Sequence, residues 1–262
     1  MSERSERIDV TAQDRVRLDV QGAVRTVTLT RPEKGNAMDA AMLRALEAAF
    51  DPSPGPGPDE RVAVIRAEGR VFCAGLDLSG DLGKDQDVEL LFQRVETWPL
   101  PVVARVQGAA IAGGNELALH CDLVVASTEA RFGMSLAQVG LAPSWFLTKK
   151  LLEVGGPVAT REILLLGDPL PATRMAELGL IARCVAADEL EAAVAGIVDR
   201  LVRNAPLSLR AMKATMNRQM AFRNDIEHAD TDALVREAMR SADAKEGVRA
   251  RLERRDADFT GT

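Results

Sequence analysis

From Val16 to Thr30 apolar and polar residues alternate through VRLDVQGAVRTVTLT, the two-residue period of half-buried strands. Gly22 interrupts the run where a hairpin would turn. Pro32 and Gly35 end the pattern, and Met38 to Phe50 takes the spacing of an amphipathic helix rich in Ala and Leu. DPSPGPGPDE (51–60) reads as a surface connection, and VAVIRA (62–67) as a short buried strand. A glycine-interrupted turn, EGRVFCAGLDLSG (68–80), leads into a polar stretch, 79–88, expected to be mobile. A helix over 88–97, a strand over 101–106, the segment QGAAIAGG (107–114), a helix over 115–121 and a strand over 122–127 follow.

Strands alternating with helices predict an α/β fold with βα crossovers. From Val158 onward the strand signal mostly fades. Helical spacing then dominates over 158–166, 173–178, 189–203, 206–221, 225–240 and 243–254. The apolar face over 206–221 suits burial against another subunit. The first 15 residues, polar and mixed in charge, read as a mobile tail without the apolar stretch of a secretory signal.

Composition narrows the chemistry. The chain has 262 residues, 47% hydrophobic and 27% charged, which is ordinary for a globular protein with ample core. A net charge of −6 argues against nucleic acid as the main partner, since phosphate recognition favours clustered positive charge. No run approaches the roughly 18 apolar residues that span a bilayer, so a cytoplasmic protein without a membrane partner is expected. Three cysteines without CxxC spacing (Cys73, Cys121, Cys184) and two isolated histidines (His120, His228) support neither a disulfide framework nor a metal centre. With no tyrosine, acid–base work falls mainly to carboxylates.

Two segments have the composition of a site. Phe72-Cys73-Ala74-Gly75-Leu76-Asp77-Leu78 follows a buried strand, and Ala112-Gly113-Gly114-Asn115-Glu116 joins a strand to a helix. Glycines there let a ligand approach backbone N–H groups. Two such donors converging on one point would form an oxyanion hole. Glu116, three residues after Gly113, would share its face of the helix. Each segment alone has a plainer explanation, as close helix–strand packing or a strand-exit turn, and a glutamate in a first helical turn also complements the helix dipole. The GxGxxG and GxxxxGK[ST] fingerprints are absent. His120, in an apolar Ala-Leu-His-Cys stretch, reads as a packed histidine.

Taken in order, RPEKGNAMDAAM (31–42), VAVIRAEGRVFCAGLDLSG (62–80), PVVARVQGAAIAGGNELALHCDLVVAST (101–128), ARFGMSLAQVGLAP (130–143), LLLGDPLPATRMAELGLIARCV (164–185) and LERRDADF (252–259) resemble the crotonase, or enoyl-CoA hydratase/isomerase, superfamily. The resemblance spans Val16 to Phe259. It implies a crotonase-like spiral of ββα units over 16–200 and a C-terminal helical trimerisation region over 201–262, giving a homotrimer or homohexamer. It also implies an acyl-CoA thioester as substrate, with coenzyme A arriving as part of that substrate and no separate cofactor.

Carried over residue by residue, the two N–H donors for the thioester oxygen match Leu76 and Gly113. Glu116 matches one catalytic glutamate. Lys34, Ala74 and Leu78 match positions near the adenine and pantetheine. Asp77 matches the acidic member of the AGxD turn, as a structural or a ligand-contacting group. Arg254, beside Arg255, matches a basic residue that approaches the ribose phosphate from a neighbouring subunit; a solvated helix face explains such a pair equally well.

The sequence departs from this pattern at one telling place. Hydratases of the superfamily use a second glutamate three residues after the glycine of the RFG segment, and here that residue is Leu136. Gly133 and Gly140 keep the register. Leucine neither holds water nor moves a proton, and loss of one acid–base group typically costs about 10²–10⁴ in rate. Trp145 and Phe146, after Pro143, would reshape the acyl pocket or simply pack. Three readings follow. The first is a hydratase or related lyase acting through Glu116 alone, with water held by the backbone, Ser135 or Gln138. The second is isomerisation, decarboxylation or hydrolysis of an acyl-CoA. The third is a non-catalytic acyl-CoA-binding protein.

Overall fold

A computed structural model describes residues 15–77 and 87–262. The expected mobile stretches at 1–15 and 79–88 lie outside the described residues apart from their last positions, and Leu78 lies outside them altogether.

The alternation at the N-terminus forms β1 (Val16–Gln21) and β2 (Val24–Leu29), an antiparallel hairpin pairing Gln21 with Val24. Gly22 takes φ 56° in the turn, which glycine adopts without strain. β3 (Val62–Ala67), β4 (Val102–Val106), β6 (Leu123–Ser127) and β9 (Arg183–Val185) continue the sheet in the order β1-β2-β3-β4-β6-β9, parallel from β2 onward. A second sheet joins β5 (Ala110–Ile111), β7 (Arg131–Gly133) and β8 (Leu170–Pro171) in the order β5-β7-β8. The alternating strands and helices and the helical C-terminal third are as the pattern predicts. The strands of the small sheet are too short to leave a period of their own.

The apolar run of β3 is explained by burial on both faces. Val62 and Val64, with Val103 and Val125, pack under Leu190, Val194 and Val198 of α6 (Leu190–Arg203). Ala63 and Ile65 face the main core, which also takes in α1 (Ala40–Ala49), α2 (Val88–Thr97) and α3 (Gly113–Leu119). Parallel strands sandwiched in this way lose their polar alternation.

One helix exceeds its expected bounds. α4 runs Trp145–Arg161, capped by Ser144, whose hydroxyl accepts the Leu147 N–H. Its expected start at 158 marks only the part after a break at Gly156 (φ 64°) and Pro157. A π-helical turn over Glu162–Leu166 extends it. α5 (Ala172–Glu177), α7 (Pro206–Met220), α8 (Ala229–Arg240) and α9 (Ala242–Glu253) complete the chain. Two contacts tie α7 to the rest. The buried Lys213 ammonium donates to Asp122 Oδ2 (2.6 Å) and Leu100 O (3.1 Å), and Asn217 Nδ2 donates to Glu96 O (2.8 Å).

Candidate active site

The two glycine turns meet at the carboxyl ends of β3 and β4, where parallel α/β sheets open toward ligands. Two isolated bridges set their approach: Met38 pairs with Leu76, and Cys73 with Ala110. Met38 N–H donates to Gly75 O (2.7 Å), Asp77 N–H to Met38 O (3.0 Å) and Ile111 N–H to Cys73 O (2.9 Å). The approach is too close for side chains. A Cβ on Gly114 would stand 2.1 Å from Cys73 O, and one on Gly75, which has φ 95°, would stand 2.9 Å from Ile111 O.

Leu76 and Gly113 are thereby neighbours. A Cβ on Gly113 would lie 3.7 Å from Leu76 N and 3.6 Å from Gly75 Cα. Among the described residues, neither Leu76 N–H nor Gly113 N–H donates to a backbone acceptor. Gly113 opens α3, so its N–H belongs to the unpaired first turn and carries the positive end of the helix dipole. Ala112 caps that turn with φ 48°, a conformation that strains a residue with a Cβ. Its N–H donates to Gly133 O (2.7 Å) and its carbonyl accepts Glu116 N–H (3.1 Å), so both neighbouring elements hold it there.

Glu116 sits one turn into α3, with no exposed surface. Neither of its carboxyl oxygens has a hydrogen-bond partner among the described residues. Burial raises its pKa to about 8, against the opposing pull of the Lys150 ammonium and of the neighbouring Asn115 side-chain amide. His120, one turn further on, lies stacked between Phe92 (5.3 Å) and Phe146 (5.1 Å), so it is packed as the sequence suggests. Its Nδ1 lies 2.8 Å from Glu116 O and 3.6 Å from Glu116 Oε2. Burial, assisted by Lys150, lowers its pKa to about 3. Behind this pair lies an ionic cluster that the sequence did not reveal. Lys150 pairs with Glu96 and lies 3.8 Å from Glu153, and Lys149 donates to Asn224 Oδ1 (2.8 Å). The i, i+4 spacing of Glu116 and His120 and the Lys149-Lys150 pair were its only visible traces.

Other expected residues take definite places. Leu136 joins Leu76, Ala112, Phe146 and Leu147 as half-buried apolar groups packed on the main core. Trp145 and Phe146 part company. Phe146 covers His120, whereas Trp145 stacks on His228 (4.7 Å) and donates its Nε1–H to Arg223 O (3.2 Å). Trp145 is therefore held on the C-terminal segment. The Gln138 amide nitrogen donates to Leu166 O (3.2 Å) and Asp168 Oδ1 (3.0 Å). Asp77 pairs with Arg31 (2.7 Å), whose guanidinium also donates to Ala37 O (2.9 Å). Lys34 is exposed on a 3-10 turn beside Ala74, whose N–H donates to Gly35 O (3.0 Å).

Arg254 closes α9 in the left-handed conformation (φ 56°) and lines a cavity of about 580 Å³ with Gln138, Val139, Gly247 and Arg251. Arg255, by contrast, is paired with Glu246 and Glu253. Among the described residues no cluster of three metal-ligating side chains occurs, and no helix is long and apolar enough to cross a membrane. Chemically, the assembled groups are two N–H donors without a backbone acceptor among the described residues and one buried carboxyl, suited to stabilising an oxyanion and moving one proton.

Known proteins share this arrangement of sequence and fold. The sequence profile of the enoyl-CoA hydratase/isomerase family matches residues 19–262. The 2,3-dehydroadipyl-CoA hydratase of Escherichia coli is 30% identical over 252 residues, covering 92% of this chain and 96% of its own. The crystal structure of carnitinyl-CoA hydratase from Mycobacterium avium superposes with a TM-score of 0.84 at 28% identity, over 95% of this chain and 100% of that one. A methylmalonyl-CoA decarboxylase structure shares the fold at a TM-score of 0.86 and 22% identity, with full coverage of both chains. The chain belongs to the enoyl-CoA hydratase/isomerase family, a crotonase-fold family acting on acyl-CoA thioesters.

Proposed function

We propose that this protein hydrates a 2-enoyl-CoA thioester, with Leu76 and Gly113 N–H groups holding the thioester oxygen and Glu116 as the single proton carrier. One observation carries the reading: Glu116 is fully buried one turn into α3, and among the described residues the Leu76 and Gly113 N–H groups donate to no backbone acceptor. A pocket that only bound acyl-CoA would have no use for a buried carboxyl. In the step, the oxygen of water bonds to C3 and the C2–C3 π pair moves toward the thioester oxygen as an enolate. The Glu116 carboxylate takes the water proton and returns it to C2, which regenerates the carboxylate. Each fixed N–H donor to the enolate oxygen is worth about 10²–10³ in rate.

The position that the family resemblance assigns to a second acid is Leu136. That substitution favours, as a second reading, a one-acid reaction through the same enolate, such as double-bond isomerisation or decarboxylation. Arg254 and the exposed turn of Lys34 and Ala74 are proposed contacts of the coenzyme A moiety, and Phe146 shapes the acyl side. The active unit is proposed to be a trimer or a pair of trimers.

Turnover of a panel of enoyl-CoA and malonyl-type thioesters by the wild type, Glu116→Ala and Leu136→Glu tests these readings. Hydration lowered about 10²–10⁴-fold by Glu116→Ala is expected. Equal rates in those two proteins would reject Glu116 as proton carrier. A gain of hydration in Leu136→Glu, with isomerisation or decarboxylation in the wild type, would move the protein to the second reading. Thermal stabilisation by acyl-CoA without any turnover would leave a binding protein.

A further inference from the structure

Packing alone does not account for His120. Phe92 and Phe146 sandwich its ring at 5.3 and 5.1 Å with interplanar angles of 18° and 16°, a slot that a phenyl ring would fill equally well. The imidazole instead brings two buried nitrogens. Nε2 has no partner among the described residues, which a merely packed residue would carry as a penalty. Nδ1 lies 2.8 Å from Glu116 O. A carbonyl oxygen only accepts, so the proton sits on Nδ1. That carbonyl already accepts the His120 backbone N–H at 2.9 Å and does not depend on the imidazole. The remaining acceptor within reach is Glu116 Oε2, 3.6 Å away and otherwise unpartnered.

We propose that His120 is a positioning residue of the Glu116 carboxyl, an Nδ1–H donor that turns to Oε2 when the carboxyl ionises. This rests on the assignment of proton transfer to Glu116. Leucine at 136 offers no polar atom, so beside the neighbouring Asn115 amide the imidazole is the group on α3 that can orient the carboxyl. The 3.6 Å separation suits the neutral acid, and such contacts tighten once charge appears. The charged groups facing the pair are Glu89 and Glu96 from α2, and Lys149 and Lys150 from α4 with Glu153 behind them. Lys150 acts on both members, favouring the carboxylate while discouraging an imidazolium. The ring therefore donates without competing for the proton.

The test needs no substrate, so it stands apart from the activity assays. With only two histidines in the chain, 15N-labelled histidine gives a resolved NMR spectrum, and His120→Phe identifies the signals. His120 is expected as the Nδ1–H tautomer from pH 5 to 9, its Nδ1 resonance moving with a midpoint of about 8 in the wild type and staying still in Glu116→Gln. Infrared titration of the Glu116 carboxyl then compares variants. His120→Phe, which keeps the stack, should raise the midpoint by about one to two pH units. His120→Asn, whose amide N–H takes the place of Nδ1–H, should keep it near the wild-type value. An Nε2–H tautomer, a histidine that titrates on its own near 6.5, or equal midpoints in all three proteins would overturn the proposal. Equal rises in the Phe and Asn variants would also overturn it, since the effect would then belong to the ring and not to its Nδ1–H.

Discussion

A carboxyl buried away from the surface makes stability depend on pH in a definite direction. Glu116 rises from 4.5 to about 8 on folding, so between those values the folded protein binds the extra proton and loses stability as pH rises. Glu116→Gln should therefore be more stable than the wild type at pH 8, with the gain vanishing by about pH 4. Urea denaturation across that range measures it. His120 works in the opposite window: its pKa falls from 6.5 to about 3, so its contribution is lost as pH drops below 6.5 toward 3. If the carboxylate is the active base, kcat/KM should climb to a plateau above about pH 8. Gly114 sets a steric limit nearby. Gly114→Ala drives a Cβ against the Cys73 carbonyl and should cost about 1–3 kcal/mol of stability along with activity. At this scale the motif order disclosed Leu76, Gly113 and Glu116, but nothing in it disclosed the ring stack around His120.

Among the elements, α3 and α7 show what periodicity can and cannot tell. The helix after AGG was legible because glycines and a first-turn glutamate mark its start. Its burial was not, since a short helix carries too few residues to separate one wet face from none. α7 looks like a half-exposed helix, yet Lys213 on it is 4% exposed and paired with Asp122. Asp122 also accepts Val102 N–H (2.7 Å) at the head of β4, so one carboxylate joins sheet and helix. Burial raises the pKa of Asp122, and Lys213 opposes that rise. Lys213→Ala should destabilise by about 3 kcal/mol, whereas Lys213→Met with Asp122→Asn should recover part of the loss. Chemical denaturation of the two variants checks it. A lysine in a polar segment carries no mark of such pairing.

For the whole molecule, the exposed apolar groups gather on the C-terminal helices: Leu207 (78% exposed), Met212 and Met216 on α7, Phe222 after it, and Leu234 and Met239 on α8. A concentration of exposed apolar groups of this kind is the expected signature of an association face. Sedimentation is expected to give a trimer or its dimer. Met212→Glu with Met216→Glu should shift the protein toward monomer, and a monomeric wild type would refute the arrangement. The chain alone determined the alternation of strands and helices, the helical C-terminal third and the order of the two glycine turns. Those follow from local periodicity and from residues that tolerate only certain backbone shapes. Tertiary structure alone decided that Glu116 is fully buried, that Gln138 bonds Asp168 and Trp145 stacks on His228, and that Phe92 and Phe146 close on His120. Burial and ring contacts arise between segments distant along the chain, and a local pattern records only what neighbours in sequence do.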